Sequence, residues 1–318
     1  MANYAPGVED YKRACQRACE GVDSAEFYKY RFSQQRQWYL NLFRAFPIPR
    51  PANIVVRDDA VVTPTHEIPL RIYRSRTAGA HEPCILYAHG GGFVNGALEA
   101  SDSIAADLAD RLGLTVITLH YRLAPEFRHP AALEDCYQAL VAVAEQAASH
   151  GIDPARIVFA GESCGGSFAA GVSMLSRDRG GPRLFGQVPI NPVFNLHRWA
   201  RREVEDCSEE FQVEMHHYTS NYLGSNMELL PEYASPLLAK DLSGLPPAFI
   251  WAVESDPLSK EAKAYAERLR AAGVPAECHI HEGVVHGCLR ARGHYTFASE
   301  AFDTLCEGFR ALLGRQGS

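Results

Sequence analysis

The spacing of hydrophobic residues changes at about residue 47, from a helical period to short apolar runs. Residues 8–46 carry apolar side chains at roughly helical spacing, which predicts helix. The recurring large positions in this segment are Tyr28, Phe32, Trp38, Leu42 and Phe46. Pro47–Pro51 ends the pattern, because proline lacks a backbone donor and restricts the residue before it. Two β-rich stretches follow, Ile54–Val62 and Ile68–Tyr73, and we expect them to pair antiparallel.

From residue 84 onward, short apolar runs alternate with longer helical stretches. We predict strands at Cys84–Ala88, Leu114–Leu119, Arg156–Ala160, Leu184–Ile190, Ala248–Val253 and Ala276–Ile280. We predict helices at Ser103–Leu112, Pro130–Ala148, Ser167–Leu175, Leu258–Ala272 and Tyr295–Leu313. Such alternation implies an α/β fold with a mostly parallel sheet covered on both faces. We expect one domain over residues 1–318, with a cap formed by about 1–50 and by a polar insertion at about 195–232.

Composition and charge narrow the range of partners. The chain has 318 residues, a formal net charge of -7 and no run of basic residues, which argues against nucleic acid or an anionic membrane. No apolar stretch approaches the length that spans a bilayer, and the N-terminus lacks the pattern of a secretory signal. Nine cysteines without regular spacing suggest thiols rather than disulfides, so we expect a cytoplasmic protein. The sequence leaves a homodimer open.

The sharpest chemical signal is the segment Gly161-Glu162-Ser163-Cys164-Gly165, which fits the pattern G-x-S-x-G. A predicted strand ends just before it and a predicted helix starts just after it. In that context the serine lies on a strained turn with its hydroxyl exposed, as a nucleophile requires. The pentapeptide also occurs by chance in ordinary strand-to-helix turns, so further signals are needed.

A second signal is His89-Gly90-Gly91-Gly92-Phe93, which follows the predicted strand Cys84–Ala88. Acyl transfer places negative charge on the carbonyl oxygen, and backbone N–H groups of such glycine loops stabilise that charge in lipases and esterases. The N–H of Cys164, the residue after the serine, is expected to be the other donor. Alone, these glycines would indicate only a loop.

A nucleophilic serine needs a histidine base and an acid that orients it, in the chain order Ser, Asp, His. Asp256 follows the predicted strand Ala248–Val253, and His286 follows Ala276–Ile280, so both should lie at the edge of the sheet that carries Ser163. Glu254 is a competing acid, but the alternation of side chains along its strand is expected to point it away from the site. Asp256 could instead be only a helix N-cap, and His286 an ordinary loop histidine.

Taken together, these motifs resemble the hormone-sensitive-lipase-like group of α/β-hydrolases, which includes bacterial acetyl esterases and carboxylesterases. The matching segments are 89–93, 121–126, 130–135, 161–166, 256–258 and 286–287. The resemblance implies an eight-stranded, mostly parallel sheet under a helical cap. It implies an oxyanion hole at Gly91, Gly92 and Cys164, and no metal or organic cofactor. Arg122 and Glu126, within these segments, are expected to fix a loop by buried hydrogen bonds and charge pairing.

Two pairs of histidines and four unusual residues also bear on the chemistry of this chain. His281 and His286 are five residues apart with a glycine between them, which does not fit the helical zinc-protease motif. His216-His217 lies in the insertion and is expected to be solvated. Glu162, Cys164, Lys260 and Cys288 stand where other residues are commonest in this group. The substrates of relatives are therefore a weaker guide to the substrate of this chain.

The sequence therefore predicts a serine carboxylesterase. The resemblance suggests that it hydrolyses short-chain acyl esters, from acetyl to hexanoyl, through an acyl-enzyme intermediate. Two alternatives remain open: an amidase or formamidase that uses the same triad, and a non-catalytic ligand receptor on a hydrolase fold. A receptor is disfavoured because such proteins typically lack a triad residue.

Overall fold

A computed structural model describes residues 4–19, 26–204, 207–229 and 231–314. Its eight strands are β1 (Ile54–Val62), β2 (Glu67–Ser75), β3 (Glu82–Ala88), β4 (Thr115–Leu119), β5 (Ile152–Glu162), β6 (Gly186–Ile190), β7 (Ala248–Val253) and β8 (Ala276–His281). Its described α-helices are α1 (Val8–Ala18), α2 (Phe32–Arg44), α3 (Asp102–Leu112), α4 (Ala131–Glu145), α5 (Ala147–His150), α6 (Cys164–Asp178), α7 (Leu196–Ala200), α8 (Glu209–Leu223), α9 (Pro231–Ala234), α10 (Ser259–Ala271) and α11 (Thr296–Gly314). Short 3₁₀ turns lie at Phe27–Lys29, Leu98–Ala100, Gly224–Asn226, Pro236–Leu238 and Cys288–Ala291.

The strands form one sheet in the order β1-β2-β4-β3-β5-β6-β7-β8. β1 pairs with β2, and β2 with β4, in antiparallel orientation, while the remaining neighbours are parallel. The predicted eight-stranded, mostly parallel sheet is confirmed, as is the antiparallel pairing of the first two strands. The parallel pairs require crossovers, which the intervening helices supply.

The parallel register brings the carboxyl ends of several strands to one edge of the sheet. Ala88, the last residue of β3, pairs with Gly161 near the end of β5, and Val253 at the end of β7 pairs with His281 at the end of β8. Loops that follow these strands therefore leave the sheet on the same side, where ligands usually bind in open α/β sheets.

The alternation along β3 shows why both faces of the sheet are buried. Ile85 and Tyr87 belong to the apolar core that includes α3 and α11, whereas Leu86 and Ala88 belong to the core that includes α4 and α6. Full burial of one side chain such as Leu86 contributes about 1.5–3 kcal/mol. The central strands consequently read as continuous apolar runs.

The N-terminal segment differs from the prediction of continuous helical spacing over residues 8–46. α1 ends at Ala18, α2 begins at Phe32, and Tyr28 lies in a 3₁₀ turn between them. Tyr28 therefore does not belong to the same helix as Trp38 and Leu42. Residues 20–25 of this predicted helical stretch lie outside the described part of the chain.

Helices α2 and α8 pack against each other, and this corrects the expectation that His217 is solvated. The His217 ring stacks on Phe32 of α2 with centroids 5.6 Å apart, and its Nε2 lies 3.0 Å from Oε1 of Gln35. Its neighbour His216 contacts the carbonyl oxygen of Ala200 through Nδ1 at 2.9 Å. Both rings have protein partners, because α8 packs against α2 on the side of His217 and against α7 on the side of His216.

Arg122 and Glu126 both form charge pairs, but the expectation of buried bonds is wrong for Glu126, which is exposed. The Arg122 guanidinium donates to the buried Asp135 carboxylate at 2.7 Å, and the Arg122 backbone N–H donates to the same group at 2.9 Å. Glu126 is paired with Arg36 of α2 at 2.6 Å. No α-helix in the described ranges is both long enough and apolar enough to cross a membrane.

Candidate active site

Ser163 occupies the turn between β5 and α6 in a conformation that non-glycine residues rarely adopt. Its φ is 56° and its ψ is -118°. Its backbone N–H donates to the carbonyl of Ile190 at 2.8 Å, which fixes the turn to the neighbouring strand. A positive φ costs energy in a residue that carries a Cβ, and residues with such strain are often found at functional sites. The strain is consistent with the turn that G-x-S-x-G predicts.

The glycines on either side of Ser163 are required by close packing. A Cβ placed on Gly161 would lie 2.5 Å from the backbone of Gly165, and one placed on Gly165 would lie 2.2 Å from the carbonyl oxygen of Ala88. Both distances are far below ordinary contact, so no side chain fits at either position. The sequence pattern therefore reports the tight approach of β3, β5 and α6.

Cys164 is the first residue of α6, and the first N–H groups of a helix have no partner within it. The Cys164 thiol is buried beside the glycine loop, 3.5 Å from the hydroxyl of Tyr121. Burial raises the pKa of this thiol, and the hydroxyl of Tyr121 opposes the rise. The thiol also lies 3.8 Å from the carbonyl oxygen of His89, the residue at which the glycine loop begins.

The glycine loop follows β3 and lies next to Ser163. A Cβ placed on Gly90 would lie 3.5 Å from the Cβ of Ser163 and 3.2 Å from the hydroxyl of Tyr39. Gly91 and Gly92 have φ of 129° and 61°, which glycine adopts readily. This places the predicted donors of the loop and the predicted nucleophile side by side.

The buried side chain of His89 holds the glycine loop in place. The His89 ring stacks on Tyr121 with centroids 4.3 Å apart, and its Nδ1 donates to the carbonyl of Gly90 at 2.8 Å. The Tyr121 hydroxyl donates to the carbonyl of His89 at 2.8 Å. Burial lowers the pKa of His89 to about 3, so its ring is neutral. The sequence analysis did not give Tyr121 this role.

Asp256 and His286 form a direct pair at the same edge of the sheet. His286 Nδ1 lies 2.5 Å from Oδ2 of Asp256, whose other oxygen accepts the N–H of Leu258 at 2.9 Å. Asp256 is only 4% exposed, whereas the competing acid Glu254 is exposed. The two residues come from loops after β7 and β8, as the chain order Ser, Asp, His predicts.

The charge of Asp256 sets the protonation of His286. Burial lowers the pKa of His286, but the carboxylate of Asp256 and its hydrogen bond outweigh burial and hold the pKa above its ordinary value. The carboxylate of Glu162 adds to the rise and the Arg290 guanidinium opposes it. A base with a raised pKa, oriented by a buried acid, suits proton transfer to and from a serine.

Glu162 is a charged neighbour that the sequence analysis treated only as an unusual residue. It is 9% exposed, and its Oε1 has no hydrogen-bond partner in the described part of the chain. Its charge also raises the pKa of Arg290. Its position next to Ser163 in the sequence could have indicated a role at the site. Its interaction with Arg290 could not be predicted, because Arg290 is distant in the sequence.

A cavity of about 210 Å³ lies between α2, α8 and the loop that carries Asn95. Its wall includes Tyr39 and Tyr218, and the Tyr218 ring packs directly against Gly92, where a Cβ would lie 2.3 Å from the ring. The cavity therefore borders the glycine loop. In the described ranges, no group of three or more His, Cys, Asp or Glu side chains could hold a metal ion.

Comparison with known proteins defines the class of this protein. Residues 85–290 match the model of a family described as having the α/β-hydrolase fold. The chain belongs to this α/β-hydrolase family.

Individual relatives define the class more closely. A carboxylesterase, NlhH, from Mycobacterium tuberculosis is 38% identical over 230 residues, which are 70% of this chain and 71% of that protein. An arylesterase from Saccharolobus solfataricus is 33% identical over 267 residues, 83% of this chain and 86% of that protein. A solved structure, a hyperthermophilic esterase from the archaeon Pyrobaculum calidifontis, has a TM-score of 0.81 and 31% identity, covering 98% of this chain and 99% of its own. The predicted family resemblance and the enzyme class, carboxylic ester hydrolase, are confirmed.

Proposed function

We propose that this enzyme hydrolyses short-chain carboxylic esters with Ser163 as nucleophile, His286 as base and Asp256 as the acid that orients His286. The observation that carries the proposal is the pair formed by the buried Asp256 and the partly exposed His286, at the sheet edge where Ser163 occupies its strained turn. The names of the relatives, which include a carboxylesterase and an arylesterase, support an ester as the substrate.

The first half of the reaction makes the acyl-enzyme. The Ser163 oxygen attacks the carbonyl carbon of the ester while His286 takes the serine proton. The negative charge of Asp256 stabilises the imidazolium that forms, in line with its effect on the pKa of His286. The bond to the alcohol then breaks, and His286 gives the proton to the departing alcohol oxygen.

The second half releases the acid. A water molecule gives a proton to His286 and attacks the acyl carbon, and the bond to Ser163 breaks as His286 returns the proton to the serine oxygen. In both halves the carbonyl oxygen becomes negative. We propose that the N–H groups of Gly91, Gly92 and Cys164 receive this charge, since the glycine loop and the first residue of α6 lie on either side of Ser163.

We further propose that α2 and α8 form a cap over the site and limit the length of the acyl chain. Their contact through Phe32, Gln35 and His217 closes this side of the molecule, and the Tyr218 ring lies on the glycine loop. Binding pockets for drug-sized ligands usually measure about 300–1,000 Å³. The cavity of about 210 Å³ beside the loop is smaller, which favours short chains.

The proposal is tested by initial rates on nitrophenyl esters from acetyl to dodecanoyl, with the Ser163→Ala variant as the blank. We expect rates that peak between acetyl and hexanoyl and that disappear in the variant. A peak at long chains would contradict the proposed acyl limit.

The same assay decides between the remaining hypotheses. Turnover that survives in Ser163→Ala would overturn the assignment of the nucleophile. Faster turnover of a matched anilide than of the ester would favour an amidase, and tight ligand binding without turnover of either would favour a receptor.

A further inference from the structure

One carboxyl group in the cavity beside the glycine loop has no role in the proposed triad. Glu214 lies in α8, one helical turn before Tyr218, and both side chains line the cavity. The Tyr218 ring covers Gly92, where a Cβ would lie 2.3 Å from the ring. Glu214 is therefore held on a rigid helix at the border of the site.

The cavity around Glu214 has walls that suit a cation. Phe27, Trp38, Tyr39 and Tyr218 contribute aromatic rings to it. Aromatic faces attract ammonium groups through the negative charge of their π-systems, and the attraction grows when water is excluded. A single carboxylate among aromatic rings is the arrangement that recognises a positively charged amine.

A second acceptor points to the same ligand. Asn95 also lines the cavity, is 2% exposed, and has a side-chain oxygen without a hydrogen-bond partner in the described residues. Buried acceptors are usually satisfied, so an unpaired one in a cavity wall indicates a donor that arrives with a ligand. A protonated amine carries such donors, whereas a plain alkyl group does not.

No basic side chain in the described ranges forms an ion pair with Glu214. Burial raises the pKa of Glu214, the charge of His286 opposes the rise, and the charge of Asp256 adds to it. A cation brought by the substrate would replace the missing partner and favour the carboxylate form.

We propose that Glu214, together with Asn95 and the aromatic wall, selects esters that carry a protonated amine. This inference rests on the proposed ester hydrolysis at Ser163 and adds the substrate class that this site prefers. Glu214 acts here as a specificity-determining residue, with no part in the proton transfers.

The test compares two acetate esters of the same shape at neutral pH. Dimethylaminoethyl acetate carries a protonated amine where isopentyl acetate carries a neutral CH group. The selectivity ratio is kcat/KM for the amine ester divided by kcat/KM for the neutral ester. We expect Glu214→Gln to lower this ratio by about tenfold or more, because a charge-assisted hydrogen bond is lost.

Glu210→Gln is the matched control, because Glu210 is an exposed residue of the same helix. It should leave the ratio unchanged. A ratio that is unchanged in Glu214→Gln both for this pair and for the acyl-side pair (ethyl dimethylglycinate against ethyl isovalerate), or an equal fall in Glu210→Gln, would overturn the inference. Failure to hydrolyse isopentyl acetate, or equal hydrolysis by Ser163→Ala, would contradict the proposed function instead.

Discussion

Replacing Gly92 with alanine tests the proposed oxyanion hole without touching the triad. Gly92 has a φ of 61°, and a Cβ at this position would lie 2.3 Å from the Tyr218 ring. That is about 1 Å closer than ordinary contact, so either the ring or the loop must move. The ring belongs to α8, and α8 is held against α2 by the stacking of His217 on Phe32. We therefore expect the loop to move and its N–H groups to lose their alignment.

The magnitude follows from two separate effects. A left-handed conformation costs an L-residue roughly 1–2 kcal/mol, of which the reduced entropy of the unfolded chain returns about 0.4–1 kcal/mol. Loss of one oxyanion donor lowers kcat by about 10²–10³-fold. Gly92→Ala should accordingly lower kcat on nitrophenyl acetate by about 10²-fold or more, and the free energy of unfolding by more than the backbone cost alone.

Gly180→Ala is the control for backbone strain. Gly180 has a φ of 63°, nearly that of Gly92, but a Cβ there would meet no atom within 4 Å. This variant should lose only about 1 kcal/mol of stability and keep the kcat of the unmodified enzyme. The rates are measured with nitrophenyl acetate and the stabilities by urea denaturation. A kcat for Gly92→Ala within about twofold of the Gly180→Ala value would refute the role of the loop in catalysis.

Three further predictions concern the triad and the loop after β4. Because the pKa of His286 is held above its ordinary value, kcat/KM should rise with pH through a midpoint above about 6.5. Asp256→Asn should move this midpoint down and lower kcat by about 10⁴-fold. A flat pH–rate profile of the unmodified enzyme would contradict the first prediction, and an unchanged midpoint in Asp256→Asn would contradict the second. Asp135→Ala should lower the free energy of unfolding by about 3 kcal/mol in urea denaturation, since the Arg122 guanidinium loses its buried carboxylate. An unchanged midpoint of denaturation would show that this pair contributes nothing.

The elements nearest to the chemistry could be predicted from the sequence because each depends on local constraints. The strand Ala276–Ile280, for example, is found as Ala276–His281, and Ala248–Val253 is found unchanged. Gly161 and Gly165 are needed because backbones approach closely there, and such constraints appear directly as residue types. Short buried strands likewise read as apolar runs wherever both faces of a sheet are covered.

The residues that the sequence analysis missed or misread depend on contacts between distant segments. The partner of Arg122 is Asp135, and the partner of Glu126 is Arg36, which comes from a helix ninety residues earlier. His217 reads as a polar residue of an insertion, yet it stacks on Phe32 once α8 lies on α2. No periodicity encodes which helix lies across another, so these interactions required the structure.

Glu214 illustrates the same limit at the site itself. In the sequence it is one acidic residue in a polar helix that also carries exposed glutamates. Its position in a cavity with aromatic rings depends on the packing of α2 against α8. Its relation to His286 depends on the loop after β8, which lies seventy residues further along the chain.

The central claim, that Ser163 is a nucleophile activated by His286 and Asp256, is tested most directly by covalent labelling. The enzyme is incubated with the organophosphate diethyl nitrophenyl phosphate, digested, and analysed by mass spectrometry. We predict one diethylphosphoryl group per chain, on the peptide that contains Ser163, with loss of esterase activity in proportion to labelling and no label in Ser163→Ala. A label on another residue that accompanies the loss of activity, or full activity after stoichiometric labelling of Ser163, would contradict the account.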